Sequence, residues 1–302
     1  MFKVRGLIKR IRPNLVHALY MTSNGLMAAA SGFHPLVVTA MGSDVHNYMH
    51  HPLKRALVRF VGKRADLVNA VSAELEQKLL ELGISPGKMF GLTHGIETAR
   101  FLQAAKMPYT GPPRIICTRK LFPVYQPEMI VEALRLLKQE GLQFRFQFAA
   151  TGPMEPMLRA QVDAGRLTDC VSFRGGYLPA ELPQMLAESD VYVSASKWDG
   201  TSPALLEAMS AGVYPVVTDI PANREWLIGT TDGQLIPVGN SAAMMCALVY
   251  AIQNRGVREA ARPLLQDRAR TQGDRATNLA RLESAYQELV ARHATAARRV
   301  PS

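Results

Sequence analysis

Three cysteines and two tryptophans are all that 302 residues contain. Cys117, Cys170 and Cys246 are scattered through apolar segments without CxxC spacing. That excludes a disulfide framework and a cysteine-built zinc site, and it suggests buried thiols in a reducing cytoplasm. Long apolar runs are equally scarce. "HPLVVTAM", "VYPVVT" and "AAMMCALVYAI" all fall short of the roughly 20 residues that a membrane-spanning helix needs. No charged-then-apolar leader with a small-residue cleavage site opens the chain, so secretion is not expected. Disorder is excluded by a 48% hydrophobic content against 20% charged residues. The length suits two ordinary cores better than one.

Acidic residues are the other shortage. The 25 Asp and Glu face 35 Lys and Arg, giving a formal charge of +10. Residues 1–110 hold 14 bases and 6 acids, a net of +8. Two clusters account for most of it, "KVRGLIKRIR" at the start and "KRALVRFVGKR" at 54–64. Such clusters suit an anionic surface: lipid headgroups, phosphosugars or nucleic acid. A solvated helix face explains them equally well. No zinc finger, aromatic-and-glycine RNA motif or basic recognition helix accompanies them, which argues against nucleic acid.

What is present is a regular alternation. After an opening helix, short apolar runs such as "LVHALY", "PLVVTAM" and "DLVNAVS" read as strands. Helical periods such as "LKRALVRFVGKRA" and "AELEQKLLELG" lie between them. Beyond the Pro-rich break at 108–113 the rhythm restarts. It continues through "RIICTR", "FRFQFAATG", "CVSFRGG", "DVYVSAS", "VYPVVTD" and "GQLIPVG". This pattern predicts two doubly wound parallel-sheet α/β domains, of about four and about six strands. Residues 1–110 form the first, 111–275 the second, and 276–302 a terminal helix. The first lacks the opening strand and Gly-rich turn usual in such a domain.

The most informative stretch is "SKWDGTSPALLEAMSAGVYPVVTD", residues 196–219. Thr201 or Ser202 is placed to cap a helix whose first turn accepts Pro203. The free amides and the dipole at that end favour an anion or an electron-rich oxygen. Gly200 permits close backbone approach. Glu207 leans back one turn toward the same mouth, and Asp199 stands at the end of the preceding strand. Carboxylate acceptors beside amide donors match a ligand carrying both hydroxyls and phosphate, as a nucleotide-sugar does.

This stretch resembles the donor-site signature of the family 4 retaining glycosyltransferases, the glycosyl transferases of group 1, which have the two-domain GT-B fold. The signature places two glutamates eight positions apart and runs into "EAMxxGxPVV". "RIICTRKLFPVYQPEMIVEAL", "FAATGPMEPMLRAQV" and "VSFRGGYLPAELPQMLAESDVYVSAS" are similar to further family segments. So are "HPLVVTAMGSDV", "RADLVNAVSAEL" and "THGIETARF" in the first half. The resemblance implies two Rossmann-like domains and transfer of a hexose, with retention, from a nucleotide diphosphate sugar to a hydroxyl acceptor. The product would be a polysaccharide, glycolipid or other glycan, and a non-catalytic nucleotide-sugar-binding subunit is the alternative. Glu207 would bind the ribose hydroxyls, and Asp199 would face the donor sugar. Gly200, Thr201 and Ser202 would offer donors to sugar and diphosphate, Arg119 would clamp the diphosphate, and Arg174 and Gly175 would lie along the base. No metal or other cofactor is expected if Arg119 and the helix amides neutralise the leaving group.

Departures from the family pattern bring further expectations. Asp199 replaces a glutamate. Val124 and Tyr125 occupy the region of a usual lysine, leaving Lys120 as the nearest substitute. Met41 stands where a histidine often acts, and Asp44 remains as the catalytic candidate near the reacting sugar. Family members usually have about three more strands before the first one here, so a shortened chain is expected, with an unprotected sheet edge. A cytoplasmic location is expected, with peripheral contact to the inner face of an anionic membrane. His46, His50 and His51 suit a surface or acceptor-side role better than a metal site, because no acidic third ligand follows.

Overall fold

The computed structural model describes residues 2–46, 51–104 and 109–298. The chain divides into two compact units. One comprises Met1–His94 together with Ala276–Ser302, and the other Gly95–Arg275. The second unit therefore starts ahead of the expected boundary at 111, and the terminal helix belongs with the first unit. Pro108, the first residue of the Pro-rich break, lies outside the described residues, as does His50.

Among its described residues the first unit holds four parallel strands: β1 (Val16–Leu19), β2 (Leu36–Ala40), β3 (Leu67–Ala70) and β4 (Met89–Gly91), in the spatial order β1-β2-β3-β4. Among the described residues the order never reverses and shows no switch point, with β1 at one edge. All five residues of β2 are buried, as expected of an inner parallel strand. The helix Pro52–Arg64 presses its inner face on the core through Val58, Val61 and Gly62. A Cβ at Gly62 would meet the Ile84 side chain at 2.3 Å, so glycine is what lets this helix approach so closely.

The second unit contains β5 (Arg114–Cys117), β6 (Arg145–Phe148), β7 (Val171–Phe173), β8 (Val191–Ser194), β9 (Tyr214–Thr218) and β10 (Gln234–Ile236). All pairings are parallel, in the order β10-β9-β8-β5-β6-β7. The chain winds outward from β5 through β6 to β7, then returns to β8 and winds the other way. The reversal puts the topological switch point between β5 and β8, the place beyond whose strand ends open α/β sheets bind ligands. Register between these two strands is limited to Ile115 opposite Val191 and Ile116 opposite Tyr192.

The two ends of the second unit are zipped together. Ile96 bridges Asp274 in parallel, Ile96 N donates to Gly273 O at 2.8 Å, and Arg275 N donates to Ile96 O at 2.8 Å. Thr98 Oγ1 donates to Asp274 Oδ2 at 2.8 Å. This brings Arg100 and Arg275 to the same end of the unit.

All three cysteines are free thiols. Cys117 is buried, and burial pushes its thiol up to about 11. The expectation of burial fails for Cys246, which is exposed on the helix Ser241–Gln253; Cys170 is half-buried. A helix with apolar residues nearly all round still turns some of them to solvent, which composition alone does not reveal.

Candidate functional site at the switch point of the second sheet

Arg119 leaves the end of β5, and Asp199 leaves the end of β8. The switch point is where they meet. Arg119 Nη2 donates to Asp199 Oδ2 at 2.5 Å, and Nη1 donates to Ser202 Oγ at 3.0 Å. Side-chain exposures of 9% and 18% make this a largely desolvated pair. The Tyr125 ring lies against the guanidinium, 4.0 Å from its centroid. The aromatic that stands in the region of the usual lysine thus supports the arginine instead of adding a cation.

Three neighbouring loops hold this arrangement. Leu121 N donates to Thr151 O at 3.2 Å, and Met154 N returns a bond to Leu121 O at 3.2 Å. Lys197 N donates to Val124 O at 2.9 Å, tying the β8 loop to the β5 loop. Gly152 is required at the crossing, since a Cβ there would lie 2.4 Å from the Leu121 carbonyl oxygen. Ser202 caps the helix Pro203–Ser210, accepting from Leu205 N at 3.3 Å, and Pro203 occupies its first turn. Asp199 Oδ1 accepts from Gly200 N at 3.0 Å. Burial raises the Asp199 carboxyl above the ordinary aspartate range, against the pull of Arg119, the Gly200 amide and Ser202.

Glu207 sits one turn into that helix, half-buried. No hydrogen bond to its carboxylate is seen among the described residues. Burial raises its pKa to about 7, opposed by the positive charges of Arg100, Arg119 and Arg275. Tyr177 is near enough to feel it: burial first, then the Glu207 charge, push that phenol up to about 12. Beneath the mouth, Thr118 Oγ1, Arg119 Nε and Tyr192 OH are buried without partners among the described residues. Orphaned polar atoms of this kind are ones that ordered water serves.

The other expected residues are placed less centrally. Thr201 is half-buried in the turn, and Lys120 is exposed. Arg174 Nη2 donates to Glu181 Oε1 at 2.6 Å, and Gly175 after it has φ +81, a conformation that favours glycine. In the first unit, both Asp44 oxygens are engaged. Oδ2 accepts from Met21 N at 2.7 Å, and Oδ1 from Met41 N at 3.0 Å and Gly42 N at 2.9 Å. Asp44 therefore anchors the π-helical turn Tyr20–Asn24 to the loop after β2. His46 contacts Lys78 and Glu74, and His51 is exposed ahead of the helix Pro52–Arg64. Trp226 is buried in the core of the second unit, whereas Trp198 is 37% exposed.

The model of the family "Glycosyl transferases group 1" matches residues 112–254, which contain Arg119, Asp199 and Glu207. A second model, "Glycosyl transferase 4-like", matches residues 1–72. Over residues 112–254 the chain is a group 1 glycosyl transferase domain. Among curated relatives, the amylovoran biosynthesis glycosyltransferase AmsK of Erwinia amylovora is 27% identical over 194 residues, 62% of this chain and 48% of that protein. The putative colanic acid biosynthesis glycosyltransferase WcaL of Escherichia coli is 29% identical over 60% of this chain and 46% of its own length. The chain thus spans about half the length of these relatives. A diphosphoundecaprenol-directed α-1,3-galactosyltransferase of Escherichia coli is 24% identical over 82% of this chain and 69% of that protein. Among solved structures, HepE of Anabaena in complex with UDP superimposes with a TM-score of 0.84 at 16% identity, covering 95% of this chain and 81% of that one. The glycosyltransferase of Rickettsia africae gives 0.79, also at 16% identity, over 95% and 80%. The fold of this group 1 member is GT-B.

Sequence reasoning missed several contributors to the mouth. Tyr125 carried no motif, and only its loop position, six residues after Arg119, hinted at contact. Arg100 and Arg275 lie far from the donor signature in sequence and are drawn in by the zipped ends of the unit.

Proposed function

We propose that this group 1 glycosyl transferase moves a hexose, with retention, from a nucleotide diphosphate sugar to a hydroxyl acceptor in polysaccharide or glycolipid synthesis. The observation that carries this reading is Glu207, a half-buried carboxylate with no hydrogen bond among the described residues, in the field of three arginines. Such a group suits the paired hydroxyls of a ribose, next to cations that suit a diphosphate. Arg119 is the clamp for the leaving diphosphate, where charge grows as the glycosidic bond breaks, and the capped helix N-terminus adds its dipole. With these groups in place no metal is assigned to the reaction. The second unit supplies the donor site, and Gly200, Thr201, Ser202, Arg174, Gly175 and Lys120 are its remaining candidate contacts.

The relatives are consistent with this substrate class. HepE was solved with UDP and with UDP-glucose. AmsK and WcaL are named for amylovoran and colanic acid biosynthesis, and the galactosyltransferase for a diphosphoundecaprenol acceptor. One observation favours a second reading, donor binding without turnover: Asp44, the candidate beside the reacting sugar, spends both oxygens on backbone amides. Release of nucleotide diphosphate from UDP- and GDP-sugars, with and without a lipid-linked acceptor, separates the two. Acceptor-dependent release supports transfer, and the anomeric configuration of the product then tests retention. Tight donor binding with no release supports the second reading.

A further inference from the structure

At the end of the second sheet away from the donor mouth lies a cavity of about 780 Å³. It opens by the amino ends of β5, β8 and β9, between the loop 109–113 and the helix Arg255–Gln272. Its charged lining is Asp190, Arg255, Arg258, Glu259 and Arg262, three cations against two acids. The arginines recur at intervals of three and four, so one helix face presents all of them. They do not serve the helix on which they stand. Its first turn has no acidic residue, and its N-cap Asn254 makes no side-chain cap bond. Asn254 Nδ2 donates instead to Tyr250 O at 2.8 Å. Arg255 and Arg258 thus oppose the positive end of the helix dipole, where an acid or a bound anion is favoured. The pair of Arg255 Nε with Glu259 Oε1, at 2.7 Å, runs base before acid, the weaker order on a helix. Burial, with Arg255 beside it, lowers the pKa of Arg258 against the pull of Asp190 and Glu259. The cluster is nevertheless fixed in place. Arg258 Nη1 donates to Ala251 O and, at 3.0 Å, to Ile252 O, and Arg262 Nη1 donates to Ala211 O at 3.4 Å. Gly212, with φ +68, makes room for the Arg262 stem, which a Cβ there would meet at 2.6 Å. On the loop side, the Tyr109 ring is braced by Arg114, whose Cζ lies 4.2 Å from its centroid.

We propose that this cavity binds a phosphorylated sugar, with the phosphate on Arg255, Arg258 and the helix N-terminus and the sugar hydroxyls on Asp190 and Glu259. The phosphate supplies the negative charge that the first turn lacks, and arginine is the side chain suited to hold it. A bare phosphate would leave most of the volume unfilled and would face the two carboxylates. Hydroxyls fill that space and give the carboxylates donors from which to accept. The donor mouth lies beyond the carboxyl ends of the same strands, so the two sites are separate. This inference does not depend on the donor-site reading.

The test is calorimetric titration of the full chain with glucose 6-phosphate, inorganic phosphate and glucose. Glucose 6-phosphate should bind, inorganic phosphate should bind more weakly, and glucose should give no heat of binding. Arg255→Gln should weaken glucose 6-phosphate about tenfold, the low end for one charge-assisted bond at an exposed position. Arg255→Lys, which keeps the cation, should recover most of that loss. Arg119→Met, in the donor mouth, should leave the affinity for glucose 6-phosphate unchanged. The Arg255 side chain is 79% exposed, so the melting temperature of the glutamine variant should hold. If it falls, Thr110→Glu carries the test, because it sets a carboxylate at an exposed position of the cavity wall and should repel the phosphate. No binding of glucose 6-phosphate, or tighter binding of inorganic phosphate than of the sugar phosphate, would overturn the proposal. So would a loss of affinity in Arg119→Met with none in Arg255→Gln, which would put the anion in the donor mouth.

Discussion

Replacing Asp199 by asparagine should tighten the grip on a nucleotide diphosphate, although the aspartate lies in the donor signature itself. Its carboxylate is 2.5 Å from Arg119 Nη2 and neutralises the cation assigned to the diphosphate. Asparagine keeps an oxygen where that bond is accepted, so the arginine stays in place while the negative charge goes. A phosphate reaching the outer guanidinium nitrogens would stand roughly 6 Å from the carboxylate, where repulsion in an effective dielectric of about 20 is on the order of 2–3 kcal/mol. Solvent screening and the weaker neutral bond to Arg119 cancel much of this, leaving about 1 kcal/mol, or roughly fivefold in affinity. Alanine removes the charge and the oxygen together, so Arg119 loses its anchor and the gain should vanish. Isothermal titration of nucleoside diphosphate and monophosphate into the three proteins reads this out. The asparagine variant should gain on the diphosphate alone. A loss of diphosphate affinity in both variants would refute the reasoning, because Asp199 would then be needed as a charge in its own right.

Glu207→Gln tests the other acid through pH. Burial holds Glu207 near 7 against the ordinary 4.5, so the folded chain binds this proton more tightly than the unfolded chain does. The stability that follows is complete below pH 4.5 and is lost as pH rises through 7. The glutamine variant should therefore be the more stable protein above pH 7, by about 2 kcal/mol once its partial exposure is allowed for, and denaturant titration at several pH values measures it. Its nucleotide affinity should fall about tenfold, with loss of the parent's rise in affinity through pH 7. Unchanged affinity at every pH would remove Glu207 from the site. Gly152→Ala should cost about 2–3 kcal/mol, because the added Cβ meets the Leu121 backbone at 2.4 Å, and nucleotide affinity should fall with it as the Arg119 loop moves. Thermal melting with and without nucleotide checks both effects.

The sheets were legible because parallel inner strands are buried on both faces and read as apolar runs. "PLVVTAM" and "VYPVVTD" became β2 and β9, every residue buried. The donor turn was legible because capping has fixed chemistry, with Ser202 and Pro203 in the places that helix entry demands. The partner of Arg119 was not legible: the signature suggested a sugar contact for Asp199, and the pair forms only because β5 and β8 adjoin at the reversal of strand order. Nor was the polar group formed by His17, Thr39 and Tyr286. Here His17 Nε2 meets Thr39 Oγ1 at 2.7 Å and Nδ1 meets the Tyr286 hydroxyl at 2.6 Å. Burial, helped by His94, lowers the pKa of His17 to about 4. A histidine in a strand pattern gives no sign that a helix 269 residues later will return to it.

The central claim is that the β5–β8 switch point binds a nucleotide diphosphate through Arg119 and Glu207. Its most direct test is calorimetric titration of the full chain with UDP, GDP and ADP, repeated on Arg119→Met and Glu207→Ala. Binding of at least one of the three is predicted. Loss of Arg119 should erase the preference for diphosphate over monophosphate, and loss of Glu207 should weaken both ligands by roughly 10- to 100-fold. A folded chain that binds none of them, or binds one equally well with both residues replaced, would contradict the claim.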